Sequence, residues 1–212
     1  VAAVIVIVGL GTGLEQYVTD SFSDMGTNTL TVTVMSRGST RTLSVDEMYE
    51  IVDENSQYLD LCSPTVTMPG YVKIGSETIT STSVQGVSED YFSISGDTVA
   101  SGRGLQYSDM AARGKVCVIG AYLNLAYYGG NAVGQTLRVG GQSLTIVGVL
   151  AQTDEDLEEG GSDDCIYLPY TTASRLIGDV SSYIITMQSE DYIDESVAVL
   201  ESALYEVFAS DD

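Results

Sequence analysis

The sequence predicts a mixed α+β protein in which one α/β unit, formed by both chain ends, is interrupted by a β-rich insertion from the middle. Three observations carry that expectation. Apolar residues repeat at period two and at period 3.6 by turns in the first and last thirds, the pattern of half-buried strands alternating with amphipathic helices. The middle third is richer in Gly and is built of short β-branched runs. Between Thr153 and Asp164 lie seven acids and no base, the clearest internal boundary in the chain. With 212 residues, 44% hydrophobic and 18% charged, the chain is long enough to bury a core and too apolar to be dominated by disorder.

The first ten residues, VAAVIVIVGL, carry no polar side chain, yet a bilayer span needs about 20 such residues. No basic stretch precedes this run and no small-residue cleavage site follows it, which disfavours a signal peptide. Leu10, Leu14, Tyr17, Val18, Phe22 and Met25 recur at steps of three and four, so an amphipathic helix is expected to continue from the apolar run to about Met25. Gly26-Thr27-Asn28 should break it, and Thr29 to Met35 then alternates Thr with Leu30, Val32 and Val34 as a strand does. Ser44 with Glu47 three residues on has the spacing of a capping box, opening a helix to about Gln57 with Val45, Met48, Ile51 and Val52 on one side. Strand patterns follow at Leu61 to Val66, Tyr71 to Ile74 and Thr78 to Val87.

In the middle third a buried strand is expected at Lys115 to Ile119, a short helix at Ala121 to Tyr128, and a hairpin of Gln135 to Val139 with Gln142 to Leu150 turning at Gly140-Gly141. Thr153 to Asp164 reads as a solvated or mobile connection. The last third resumes the style of the first, with strand Cys165 to Leu168, helix Tyr170 to Ile177, strand Tyr183 to Gln188 and helix Ile193 to Phe208.

Composition narrows function. Eight Lys and Arg against 30 Asp and Glu give a net charge of −22, which repels nucleic acid and anionic lipid unless basic residues gather locally. In sequence the densest basic pairs are Arg37 with Arg41 and Arg113 with Lys115, too sparse for a patch, so no nucleic-acid partner is expected. The chain has no His, which removes His-centred triads and imidazole zinc sites. Cys62, Cys117 and Cys165 are too widely spaced for a metal knuckle, and Cys117 sits in an apolar run as a buried thiol would.

Three tempting motifs have plainer readings. Gly9, Gly11 and Gly13 follow an apolar run as in a dinucleotide-binding turn, but Leu14 stands where that turn needs Gly or Ala. Asp154, Asp156 and Glu158 have the opening spacing of a calcium loop, but Glu159 replaces its turn Gly and Cys165 its last ligand. Tyr122, Tyr127 and Tyr128 cluster on one short helix, where rim packing is the ordinary account and a ligand-stacking surface the sharper one. No catalytic, cofactor-binding or metal-binding residue, and no cofactor, is therefore assigned.

Several segments, taken in chain order, resemble the extracytoplasmic (periplasmic) core domain of MacB-type, FtsX-like ABC transporter permeases. They are MGTNTLTV (Met25 to Val32), GVSEDYF (Gly86 to Phe92), SGR (Ser101 to Arg103) with Asp109, KVCVIG (Lys115 to Gly120), VGQTLRVGGQSLTIVGVL (Val133 to Leu150) and YLPYTTA (Tyr167 to Ala173). The resemblance implies that residues 1–25 are the end of a first membrane helix and a stalk helix. It implies a porter-like α/β subdomain from 26–86 and 162–212, and an inserted β-rich subdomain from 87–161. It further implies a non-catalytic domain outside the cell membrane that couples ATP hydrolysis, on a separate cytoplasmic domain or subunit, to export or signalling. Its partners would be the protein's own transmembrane helices and ABC ATPase, a second permease protomer and a membrane-fusion adaptor protein. The Gly and Asp positions within these segments would set shape rather than chemistry. The alternative from another class is a secreted small-molecule-binding or enzyme domain using the Tyr-rich middle region.

Overall fold

In the computed structural model, residues 4–10, 14–20, 28–36, 43–69, 71–178, 180 and 182–209 are described. They fall into two compact units, one of Val1–Pro64, Ser93–Gly96 and Val180–Asp212, the other of Thr65–Phe92 and Asp97–Asp179. The chain begins with β1 (Val4–Leu10), β2 (Leu14–Asp20), β3 (Thr29–Ser36), α1 (Val45–Glu54) and β4 (Leu59–Thr67). It continues with β5 (Val72–Ile74), β6 (Glu77–Ile79), β7 (Ser83–Val87), α2 (Tyr91–Ser95), β8 (Val99–Gly102) and α3 (Tyr107–Ala111). Then come β9 (Val116–Ile119), α4 (Ala121–Tyr128), β10 (Thr136–Val139), β11 (Gln142–Leu150), β12 (Cys165–Pro169) and α5 (Tyr170–Ile177). The chain returns to the first unit with β13 (Ser182–Met187) and α6 (Ile193–Ala209). The architecture is the mixed α+β class read from the sequence, with a sheet of mixed parallel and antiparallel strands. Among the described residues no helix is long and apolar enough to cross a membrane.

The first unit has strand order β1-β2-β3-β13-β4. Leu30, Val32 and Val34 alternate inward along β3, and β13 runs antiparallel beside it with Ile185 opposite Leu30 and Tyr183 opposite Val32. Met48, Ile51 and Val52 of α1 join them in one apolar cluster with Leu200 and Leu204 of α6. Leu30, Leu200, Leu204 and Ile185 are all fully buried, and each such side chain is worth about 1.5–3 kcal/mol relative to exposure. The start of α1 is fixed as its spacing predicts: Glu47 N donates to Ser44 Oγ (3.2 Å) and Ser44 N to Glu47 Oε2 (2.8 Å).

The helix expected from Leu10 to Met25 is not formed over the described part of that segment. β1 and β2 pair antiparallel, with Ile7 opposite Tyr17, and β2 adds to β3 with Val18 opposite Val32. The physical reason is that Val4 to Val8 is an unbroken β-branched run, and Tyr17, Val18 and Thr19 likewise favour extended backbone. Here β-branching overrides the three- and four-step recurrence. Phe22 and Met25 lie outside the described residues, as do Gly11, Gly13, Arg37 and Arg41. Val197, Leu200, Leu204 and Phe208 of α6 pack in the cluster built from β3, α1, β4 and β13.

The second unit has strand order β7-β12-β9-β11-β10-β5-β6, with the end of β4 on β7 and β8 on β11. β7 and β12 run parallel, as do β9 and β11, while β12 and β9 are antiparallel. The β10-β11 hairpin turns at Gly140 (φ +55°) and Gly141 (φ +81°), the pair of positive φ values a two-residue primed turn demands. The division between units falls after Pro64, Phe92, Gly96 and Asp179, whereas the resemblance implies boundaries at 86/87 and 161/162. The cause is pairing: β7 aligns with β12 from Ser83–Cys165 to Val87–Pro169, which draws the stretch before Val87 and the strand after Asp164 into the same unit. The elements α2, β8 and α3 have no counterpart in the sequence reading, since four or five residues are too few to establish a period.

Candidate functional site

Apart from Met25 to Val32, which belongs to the first unit, the segments that carried the resemblance lie in the second unit, and several of them set backbone geometry there. β8 presses against β11 so closely that a Cβ at Gly148 would collide with the Arg103 carbonyl, and one at Gly102 with the Val147 carbonyl. Only glycine fits this crossing. The contact is held by Arg103 N donating to Val147 O at 2.9 Å.

Arg103, displayed by that crossing, forks onto Asp109, with Nη1 to Oδ2 at 2.7 Å and Nη2 to Oδ1 at 3.1 Å. Asp109 also accepts from Gln106 N (2.9 Å) at the start of α3, and Arg103 Nη1 donates to Gly104 O (2.9 Å). Burial alone would raise the Asp109 carboxyl, but the Arg103 hydrogen bonds, the Gln106 N–H and the Arg103 charge together hold it below the ordinary carboxylate value. The SGR segment and Asp109 thus form one bidentate clasp that closes the loop between β8 and α3.

The acidic stretch is more ordered than its composition suggests. Asp154, Asp156 and Glu158 are exposed, but Asp163 and Asp164 are only 4% and 1% exposed. Asp163 accepts from Thr153 N through both oxygens (3.1 Å), from Asp154 N (3.0 Å) and from Thr153 Oγ1 (3.2 Å). Asp164 accepts from Thr82 Oγ1 (2.7 Å) and Gly160 N (2.8 Å). The expectation of a solvated or mobile connection is corrected at its end: the final two acids are interior staples that tie the loop to itself and to the turn before β7. Net charge could not distinguish them from their five exposed or partly exposed neighbours, because burial follows from where the N–H donors lie. Among the described residues no group of three or more Cys, Asp or Glu is placed to hold a metal ion.

The remaining candidates also have structural partners. Tyr122 and Tyr127 meet edge to face with centroids 6.4 Å apart, and Tyr128 Oη donates to Thr136 O (3.1 Å). Tyr91 and Tyr167 stack tilted at 4.9 Å, with Phe92 at 5.7 Å from Tyr167. Cys117 and Cys165 are buried free thiols, and burial, reinforced by the Asp97 charge, pushes Cys165 up to about 12. Gly9 lies within strand β1, paired opposite Glu15. One arrangement was missed altogether. The fold brings Arg175 of α5 to Arg113 and Lys115, so a local basic patch exists where sequence spacing gave only a pair.

Glycine crossings, an ion-pair clasp and carboxylate staples are thus what these segments and the acidic loop supply within a two-unit α+β chain. The chain belongs to the MacB-like periplasmic core domain family, whose model matches residues 1–203. It is 30% identical over 206 residues to the macrolide export ATP-binding/permease protein MacB 1/2 of Paracoccus denitrificans, covering 93% of this chain and 30% of that one. It is 30% identical over 200 residues to the macrolide export ATP-binding/permease protein MacB of Bordetella avium, covering 90% of this chain and 30% of that one. The chain thus spans under a third of the length of these curated relatives.

The fold is similar to the crystal structure of the periplasmic region of MacB from Actinobacillus actinomycetemcomitans, with a TM-score of 0.64, 22% identity, and coverage of 88% of this chain and 85% of that one. It is similar also to the extracellular domain of the noncanonic ABC-type transporter YknZ from Gram-positive bacteria, with a TM-score of 0.60, 16% identity, and coverage of 73% and 78%.

Proposed function

We propose that this chain is the extracytoplasmic domain of an ABC transporter permease, set on the outer side of the cell membrane. There it couples ATP hydrolysis on a separate cytoplasmic domain or subunit to export or signalling. The observation that carries the reading is the family match over nearly the whole chain, reinforced by relatives in which the matching region is about 30% of an ATP-binding/permease protein. In this reading the domain itself does no chemistry. Its partners are the transmembrane helices and ATPase of its own transporter, a second permease protomer and, where a second membrane exists, a membrane-fusion adaptor protein. In this reading the first unit serves as the porter-like subdomain and the second unit as the insertion.

The cysteines make a direct test available. Cys62, Cys117 and Cys165 are buried, so a thiol placed at Leu125, which is 60% exposed, should be the one labelled in folded protein. In intact cells making the whole transporter, Leu125→Cys should react with a membrane-impermeant maleimide before permeabilisation. Labelling only after permeabilisation would place the domain inside and end the proposal.

A further inference from the structure

The patch formed by Arg113, Lys115 and Arg175 has a composition opposite to that of the molecule. In a chain with 8 cations and 30 acids, a cleft of about 220 Å³ is lined by Arg113, Lys115, Gln142, Thr172, Arg175 and Leu176, with three cations and no carboxylate among the described residues. None of the three cations has an ion pair among the described residues; the clasp of Arg103 with Asp109 lies elsewhere in the unit. All three side chains are exposed, and an anion entering the cleft meets three cations and no acid among the residues that line it.

The backbone around the cleft is held on two flanks by three hydrogen bonds. Thr171 Oγ1 donates to Met110 O (2.9 Å) and Thr172 Oγ1 to Gly114 O (3.0 Å), pinning the loop after α3 to the first turn of α5. Thr145 N donates to Lys115 O (2.9 Å), fixing the other flank to β11. At the centre of this pinned loop Arg113 has φ +51°, the sole non-glycine residue with positive φ among the described residues. That conformation costs an L residue about 1–2 kcal/mol that glycine would not incur. Arg113 is the left-handed cap that ends α3, where Arg113 N donates to Met110 O (3.1 Å) and Gly114 N to Asp109 O (2.7 Å), and this helix end sets its side chain in the lining of the cleft.

The geometry points to an oxyanion site: the cleft binds a phosphate group, with Arg113, Lys115 and Arg175 neutralising it, the Gln142 amide donating at its edge and Leu176 forming an apolar lip. The net charge of −22 does not forbid this, because at physiological ionic strength charges beyond about 8 Å are screened and the three cations dominate locally. The chemistry is common to free phosphate and to the phosphodiester of a lipid headgroup. The site does not depend on the transporter reading.

The test uses the ¹⁵N-labelled 212-residue chain titrated with inorganic phosphate at constant ionic strength near pH 7. Saturable shifts in the millimolar range are expected at Gly114, Lys115, Gln142, Thr172 and Arg175. Arg175→Glu should weaken binding about tenfold or more, since it replaces an attraction by a repulsion a few ångströms from the anion. Arg113→Gly should weaken it as well while suiting the positive φ, so that loss of binding cannot be loss of fold. Co-sedimentation with phosphatidylglycerol vesicles over phosphatidylcholine vesicles, displaced by phosphate, would identify the group as lipid-borne; phosphate saturation without vesicle binding would identify a free anion. Absence of saturable shifts, or equal binding by wild type and both variants, overturns the site.

Discussion

In the first unit, β3 and β13 present Leu30, Val32, Tyr183 and Ile185 to an apolar cluster that α1 and α6 complete with Met48, Ile51, Leu200 and Leu204. The second has an apolar core of its own, with Ile119, Leu123, Ile146 and Leu168 fully buried, and adds a glycine crossing between β8 and β11, an Arg103–Asp109 clasp and two buried carboxylates in the acidic loop. The contrast separates two ways of specifying shape. A cluster of side chains spreads its cost over many contacts and keeps its arrangement under volume-conserving swaps, whereas a backbone crossing or a buried anion admits one solution. For a domain proposed to transmit motion, the second kind of constraint keeps a loop in place when the rest of the chain is loaded.

The largest expected effect is in the apolar cluster. Leu204→Ala should lower stability by about 2–5 kcal/mol, through lost burial plus the cavity left behind. Hydrogen exchange should then quicken in α6, β3 and β13 and stay unchanged in β9 and β11. Equal loosening of both sets would break the comparison by showing one cooperative unit.

Gly148→Ala should cost about 1–3 kcal/mol, because its Cβ must displace the Arg103 carbonyl. Here the response should be confined to β8, β11 and the α3 loop, the mirror image of Leu204→Ala. A neutral Gly148→Ala would mean that the crossing is looser than its hydrogen bond at 2.9 Å implies.

How much of this was legible follows the same line. Wherever a side-chain period extends over seven or more residues, as in β3, α1, α5 and α6, the pattern identified the element, and the Ser44–Glu47 spacing located the start of α1. The exception at β1 and β2 shows the limit, since a period was present and β-branching overrode it. What could not be read was any feature defined by two distant backbones. Gly148 in the sequence is one glycine among 22, and its necessity appears only when Arg103 lies over it. Likewise Asp163 and Asp164 read as part of an acid run, and Arg175 lies 60 residues beyond Lys115 in a separate helix, so neither the staples nor the basic cleft had a local signal.

The two staples sharpen the contrast inside a single loop. Asp164→Ala leaves Thr82 Oγ1 and Gly160 N without their acceptor and should cost about 1–3 kcal/mol. Asp156→Ala, at an exposed position of the same loop, should fall within about 0.5 kcal/mol of wild type. Urea unfolding of both variants checks this, and equal effects would return the loop to the solvated description its composition suggested.

A smaller effect than that of the buried staple is expected of the Arg103–Asp109 clasp, because the Arg103 side chain stays 39% exposed and water screens the pair. Asp109 is held below its unfolded value, so the clasp's contribution is fully present above the unfolded carboxylate pKa near about 3.9. It is lost as pH falls through the lower, folded value. The other acids titrate over the same range, so the clasp must be isolated by a double-mutant cycle of Arg103→Met, Asp109→Asn and the pair. At pH 7 the coupling should be up to about 1 kcal/mol, and it should decline toward zero only under acid conditions. If the coupling vanished already between pH 7 and pH 5, the Asp109 carboxyl would not be depressed. The loop between β8 and α3 would then owe its shape to the glycine crossing alone.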